Sequence, residues 1–276
     1  MAEEEEKKPT ARANVKHVFG IVSGKGGVGK SLVTSLLASE LNKKGYKVGI
    51  LDADVTGPSI PKTFGISGHV HADEDGMYPL ETESGIKVMS VNLLLPEEDM
   101  PVAWRGPVVS GIINQFWGET HWEDIDYMLV DMPPGTSDVF LTVMHQLPCE
   151  GIVTVSAPQQ LVGMIVGKAV RLAHDMDVRV LGLVENMAYF KCDECDKKHY
   201  IFGEPQGAEV AKRYKIPAFA TLPLDPKFAR MGDEGKLEDY DVQGALDGII
   251  AKLEITAAQK DGADRTAAES AEADED

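Results

Sequence analysis

Gly24-Lys25-Gly26-Gly27-Val28-Gly29-Lys30-Ser31 follows an apolar, β-branched run at 15–22 and precedes Leu32, Leu36, Leu37 and Leu41 at helical spacing. Strand, glycine loop and helix in that order are what a phosphate-binding loop requires. Backbone N–H groups close around a phosphate, and the helix N-terminus adds its positive field. In this spacing Lys30 reaches the outer phosphates and Ser31 offers its hydroxyl to Mg²⁺. The chain therefore reads as an ATP-type nucleotide hydrolase, with Gly24 to Ser31 as its nucleotide-binding loop.

Outward from that loop, strands predicted at 47–51, 86–92, 127–130, 151–156, 178–184 and 218–222 alternate with helices at 107–117, 139–146, 161–174, 208–214 and 244–253. Such alternation implies an α/β, three-layer, doubly wound and mostly parallel sheet. Ligands bind outside the carboxyl ends of such strands, so the loops after 22, 51, 130 and 184 should gather on one side. One domain is expected over 15–256, between acidic tails at 1–14 and 257–276 that read as disordered.

The formal net charge is −18; residues 1–14 supply −1 and residues 261–276 supply −6, which leaves −11 for the body. A surface of that sign disfavours nucleic acid and anionic lipid, whose binding rests on clustered Lys and Arg. No apolar stretch approaches the roughly 18 residues of a membrane span, and the first residues lack a signal-peptide core, so neither a membrane nor a nucleic-acid partner is expected and the location should be cytoplasmic.

Asp131 ends an apolar strand, a usual position for a carboxylate that holds Mg²⁺ directly or through water, and the alternative is a turn-starting Asp before Pro133-Pro134. Gly135 and the two prolines make 131–138 a candidate switch. Asp52 and Asp54 share one face of a strand end. Asp54 is the candidate for positioning or deprotonating the attacking water, and Asp52 for ordering a metal-bound water. The alternative for each is a cap on the next turn. Lys30 and Mg²⁺ bring about +3 against roughly −4 on ATP, so Lys25 has room to act as a further cation, reaching a facing subunit as arginine fingers do. It otherwise reads as a solvated loop lysine.

Cys192-Asp193-Glu194-Cys195 lies in a polar stretch followed by Lys197 and Lys198. Two thiolates at this spacing fit an edge of an iron-sulfur cluster, a zinc ion or a redox dithiol. One chain brings two thiolates where a cubane cluster commonly takes four, and a two-fold dimer brings four. Zinc shared between two chains, or a single-chain site with His199 as third ligand, satisfies the same arithmetic. Cys149 reads as a small buried hydrophobe, and Trp104 and Arg105 as a partner surface or ordinary aromatic packing.

The phosphate loop resembles the deviant Walker A of the dimeric ATPase class that includes nitrogenase iron protein and the cell-division and plasmid-partition ATPases, the SIMIBI type of P-loop NTPase. Leu51-Asp52-Ala53-Asp54-Val55-Thr56-Gly57-Pro58-Ser59-Ile60-Pro61, Trp104-Arg105-Gly106-Pro107, Asp131-Met132-Pro133-Pro134-Gly135-Thr136, Val184-Glu185-Asn186-Met187 and Ile201-Phe202-Gly203-Glu204 are similar to motifs of the Mrp/ApbC iron-sulfur cluster carriers, over about residues 15–252. The catalytic set expected from the residues is Lys25, Lys30 and Asp54, and the magnesium set is Ser31, Asp52 and Asp131. The resemblance implies that Lys25 crosses a homodimer and that Asp54 and Asp131 belong to two switch regions. Asn186 reads adenine, with Pro223 beside it in the nucleotide-binding set. The resemblance also implies that Cys192 and Cys195 hold a cluster, expected as 4Fe-4S bridging two subunits and delivered to apo-proteins. Competing expectations are a spatial-organisation ATPase with a membrane or DNA partner, a zinc-bridged dimer switch and an electron-donating reductase.

Overall fold

The computed structural model describes residues 14–54, 60–94, 106–135, 138–158 and 162–273. In chain order its strands are β1 (Val15–Ser23), β2 (Val48–Asp52), β3 (His71–Asp73), β4 (Gly76–Tyr78), β5 (Leu80–Glu81), β6 (Lys87–Ser90), β7 (Ile125–Asp131), β8 (Gly151–Ser156), β9 (Val180–Glu185), β10 (Phe190–Lys191), β11 (Lys198–His199) and β12 (Ala218–Thr221). The helices are α1 (Lys30–Lys43), α2 (Ile60–Thr63), α3 (Gly106–Gly118), α4 (Asp138–Gln146), α5 (Val162–Asp175), α6 (Gly207–Arg213), α7 (Pro226–Asp233) and α8 (Asp247–Ala273).

Eight strands form one sheet in the order β12-β9-β8-β1-β7-β2-β6-β5. All neighbours pair in parallel except β5, which lies antiparallel along β6 at the edge. The alternation of β1 sets the layers. Phe19 and Ile21 join Val33, Leu36 and Leu37 of α1 and Ile249 and Leu253 of α8. Val18 and Val22 join Val109 and Ile113 of α3 and Phe140 of α4 on the opposite face. A third, smaller cluster packs α5 and α6 over Leu183. Because β1, β2, β7 and β9 run the same way, the loops that follow them emerge at one edge of the sheet, the arrangement expected from the alternating pattern.

Outside the site, the following stretches depart from the sequence reading. The strand expected at 86–92 narrows to β6, and the chain then turns through a 3-10 segment, Val91–Leu94. A small hairpin, β3 with β4, is turned by Asp73, whose Oδ1 accepts from the backbone N–H of Asp75 at 2.8 Å and Gly76 at 3.2 Å. Where a disordered tail is expected from residue 257, α8 instead continues to Ala273. Thr256 and Ala257 are buried, and Lys260 Nζ reaches Glu150 Oε1 at 3.1 Å, so packing carries the helix beyond 257 and an alanine-rich sequence prolongs it.

Candidate functional site

Lys30 is the first residue of α1, and Gly29 before it has φ +81°, a left-handed conformation that glycine adopts without strain. A Cβ at Gly29 would also collide with the side-chain amide of Asn186, which leans over the loop. The loop is tied down from two sides: Asn186 Nδ2 donates to Val28 O at 3.0 Å, and Ser23 Oγ donates to Lys25 O at 3.0 Å. Gly135, also at positive φ, donates its N–H to Ser23 O at 2.8 Å, so the start of the candidate switch rests on the root of the loop.

Asp131 is fully buried at the end of β7 and organises the donors around it. Its Oδ2 accepts from Lys30 Nζ at 2.7 Å and from Ser31 Oγ at 2.6 Å, while Oδ1 accepts from Thr34 Oγ1 at 2.6 Å. Lys30 Nζ also lies 3.3 Å from Asp54 Oδ2. The lysine, 5% exposed, therefore sits between two carboxylates.

The two aspartates at the end of β2 separate. Asp52 pairs in register with Asp131 on the neighbouring strand, accepts from Ser90 Oγ at 2.8 Å and from its own Asp54 N–H at 3.1 Å, and is fully buried. Burial first, and then the facing Asp131, push its carboxyl up to about 8. Asp54 is the member that reaches the loop lysine.

Thr34 and Ser90 were not singled out from the sequence. Thr34 stands four residues after Lys30 on α1, hence on the same helical face, and Ser90 lies beside Asp52 in the parallel register of β2 with β6.

A cavity of about 690 Å³ opens over the loop, walled by Gly26, Lys30, Asp54, Asn186, Pro223 and Phe228 among others. Asn186 is 1% exposed and its Oδ1 has no hydrogen-bond partner among the described residues, so a buried acceptor lies at the edge of this cavity. The far wall includes α7, which the sequence reading did not anticipate although Asp225-Pro226 is a helix-start signature. Asp225 Oδ1 caps the helix by accepting from Lys227 N at 2.9 Å.

Six residues beyond Asn186 lies Cys192. Phe190 pairs with His199 and Lys191 with Lys198, which makes a short hairpin with the cysteines in its turn. Cys192 N donates to Lys197 O at 3.0 Å and Asp196 N donates to Cys192 O at 3.0 Å. The backbone N–H groups of Glu194 and Cys195, then the Cys195 side chain, hold the Cys192 thiol below its ordinary value. Cys195 is exposed. His199 sits at the base of the hairpin, and among the described residues no three His, Cys, Asp or Glu side chains are grouped to hold a metal. Cys149 lies apart, its sulfur near Gly20 and Gly151, and burial pushes that thiol up to about 12.

A second cavity, of about 590 Å³, is lined by Cys192 together with Tyr189, Lys227 and Tyr240. Pro223, Leu224, Asp225 and Phe228 line both cavities, so segment 223–228 is a wall between loop and hairpin. Leu224 N donates to Tyr189 O at 2.7 Å, and Tyr240 Oη donates to Asp225 Oδ2 at 2.8 Å, fastening the wall on the hairpin side. Residues 55–59, Trp104, Arg105 and 136–137 lie outside the described residues. No described helix is long and apolar enough to cross a membrane.

The ParA family, in its description as NUBPL iron-transfer P-loop NTPase, matches residues 14–253. An iron-sulfur cluster carrier protein of Clostridium perfringens is 49% identical over 249 residues, 87% of each chain. A cytosolic Fe-S cluster assembly factor Nubp2 homolog of Drosophila virilis is 42% identical over 219 residues, 77% of this chain and 82% of that one. Among solved structures, a nucleotide-binding protein of Archaeoglobus fulgidus in complex with ADP is 44% identical, with a TM-score of 0.74 over 82% of this chain and 89% of that one. The cell division ATPase MinD of Pyrococcus furiosus, 20% identical with a TM-score of 0.63 over 87% of this chain and 99% of that one, shares the fold.

Proposed function

The chain belongs to the ParA family of NUBPL-type iron-transfer P-loop NTPases, and from that premise we propose that it is an ATP-hydrolysing carrier that gathers an iron-sulfur cluster between two copies of itself and delivers it to apo-proteins. The observation that carries this reading is the position of the two sites: the phosphate loop and Cys192, the first of the cysteine pair, line two cavities that share one wall, 223–228.

ATP enters the cavity with its phosphates against the backbone of Gly24 to Ser31 and its adenine toward Asn186 and Pro223. The orphaned Asn186 Oδ1 suits a hydrogen bond from the adenine amino group, which a guanine carbonyl cannot donate. Lys30 exchanges its carboxylate contacts for the outer phosphates. Ser31 Oγ and Asp131 Oδ2, 2.6 Å apart, are hard oxygen donors that fit Mg²⁺, with Asp52 behind them able to order its water. The ion supplies charge neutralisation at the phosphates. Asp54 orients the water that attacks the γ-phosphorus; the bond to the β,γ-bridging oxygen breaks, and ADP and phosphate leave. Lys25 contributes its charge to the partner's nucleotide, an effect of roughly 10³ to 10⁵ in rate.

The cluster is cargo. Two thiolates from each chain supply the four that a cubane takes, and a site divided between subunits releases what it holds when the subunits part. Anaerobic reconstitution should load about two irons per chain, and Cys192→Ser with Cys195→Ser should abolish both the cluster absorbance and its transfer to an apo-acceptor. Undiminished transfer by the doubly substituted protein would sink the carrier reading.

A further inference from the structure

Immediately after β11, the chain presents Tyr200, Ile201 and Phe202, which are 41%, 60% and 50% exposed. Gly203, at φ +100°, donates its N–H to Tyr200 O at 3.2 Å and turns the segment back, so three consecutive large apolar side chains stand in solvent. Packing among the described residues does not cover them.

Their place in the hairpin limits what covers them. Cys192 N bonds to Lys197 O, so Tyr200 lies three residues from the level of the first thiolate, roughly 10 Å along a strand. A stable interface buries about 800 Å² per partner, equivalent to a disc of about 16 Å radius. A second chain that shares a metal group with these cysteines therefore lies over Tyr200, and over its neighbours with it.

Charge points the same way. The whole chain carries −18, which makes two copies repel. Within 189–203, however, Lys191, Lys197 and Lys198 balance Asp193, Glu194 and Asp196, and the local charge is zero. The hairpin is a neutral island with an apolar tip, the place where two acidic copies approach at least electrostatic cost.

We propose that Tyr200, Ile201 and Phe202 form the apolar part of a two-fold contact between two copies of this chain, closing around the group held by Cys192 and Cys195. The inference rests on the shared-cluster reading for the position of the axis. A two-fold contact sets the same segment of each chain near its mate, so one substitution acts twice.

The test is sedimentation velocity on iron- and sulfide-reconstituted protein, comparing the parent with Ile201→Glu/Phe202→Glu and, as a milder variant, Phe202→Ser. ATP binding by each variant reports that it is folded. The expected result is a dimer dissociation constant raised at least tenfold by the double substitution, with a smaller rise for Phe202→Ser and faster loss of iron from both. A constant within twofold of the parent's overturns the proposal, including the case where transfer to an apo-acceptor falls and the segment proves to be a client surface. If the parent takes up no iron, the carrier reading fails by itself, and the same tenfold criterion is applied to the ATP-bound dimer. A parent that stays monomeric in both states overturns the proposal.

Discussion

The phosphate loop and the cysteine hairpin share a wall but are built in opposite ways. Around the loop, charged and hydroxyl groups are buried and multiply bonded: Asp131 alone accepts from Lys30, Ser31 and Thr34. In the hairpin two strands of two residues each carry an exposed turn, and what shapes the first thiol is backbone N–H. The first site is bound into the core, so its chemistry and its stability are inseparable. The second is an appendage that presents two thiols, and its chemistry can change without disturbing the fold.

Replacing Asp131 by Ala breaks that contrast at its strongest point. It leaves Lys30, 5% exposed, with Asp54 as its one carboxylate and removes the acceptor of two hydroxyls, so denaturant unfolding should show a loss of about 3 kcal/mol along with loss of ATP turnover. A loss below about 1 kcal/mol would mean that the network is looser than its distances imply.

Thiol chemistry sharpens the other side. In metal-free protein Cys192, held below its ordinary value, should alkylate with a rate profile whose midpoint lies below that of an ordinary thiol. Cys149, half-buried and pushed up to about 12, should react far more slowly than Cys192. Peptide mapping of iodoacetamide-treated protein across pH reads both. Equal labelling of the two would contradict the geometry.

The smallest effect belongs to the hairpin's own ion pair. Lys191 Nζ meets Asp196 Oδ1 at 2.7 Å, but the two side chains are 57% and 80% exposed. Water screens such a pair, so Lys191→Ala should leave the midpoint of a thermal melt where it is. A lowered midpoint would show that the hairpin is part of the cooperative core after all.

The same contrast explains what was legible in the sequence. The loop 24–31 could be read because its function depends on contiguous backbone, and Asp54 and Asp131 because strand ends in a parallel sheet converge. Thr34 and Ser90 were missed because their roles follow from helix rotation and strand register, which spacing alone does not fix. α7 was missed as an element although Asp225-Pro226 announces its start. Its place as the wall between two cavities depends on how the chain returns after β12, and no local pattern encodes that. The extension of α8 past residue 257 was misread because its acidic composition hides the packing of Thr256, Ala257 and Lys260.

Segment 223–228 also has a thermodynamic meaning. One strip of backbone touches both the nucleotide cavity and the cavity of Cys192, so a shift of the strip that favours one ligand alters the free energy of the other. Such linkage is reciprocal: whatever factor nucleotide imposes on the affinity of the thiols for metal, metal imposes on the affinity for nucleotide. A titration of ADP binding with and without metal on the hairpin therefore measures, in a single ratio, how strongly the cargo is coupled to the nucleotide.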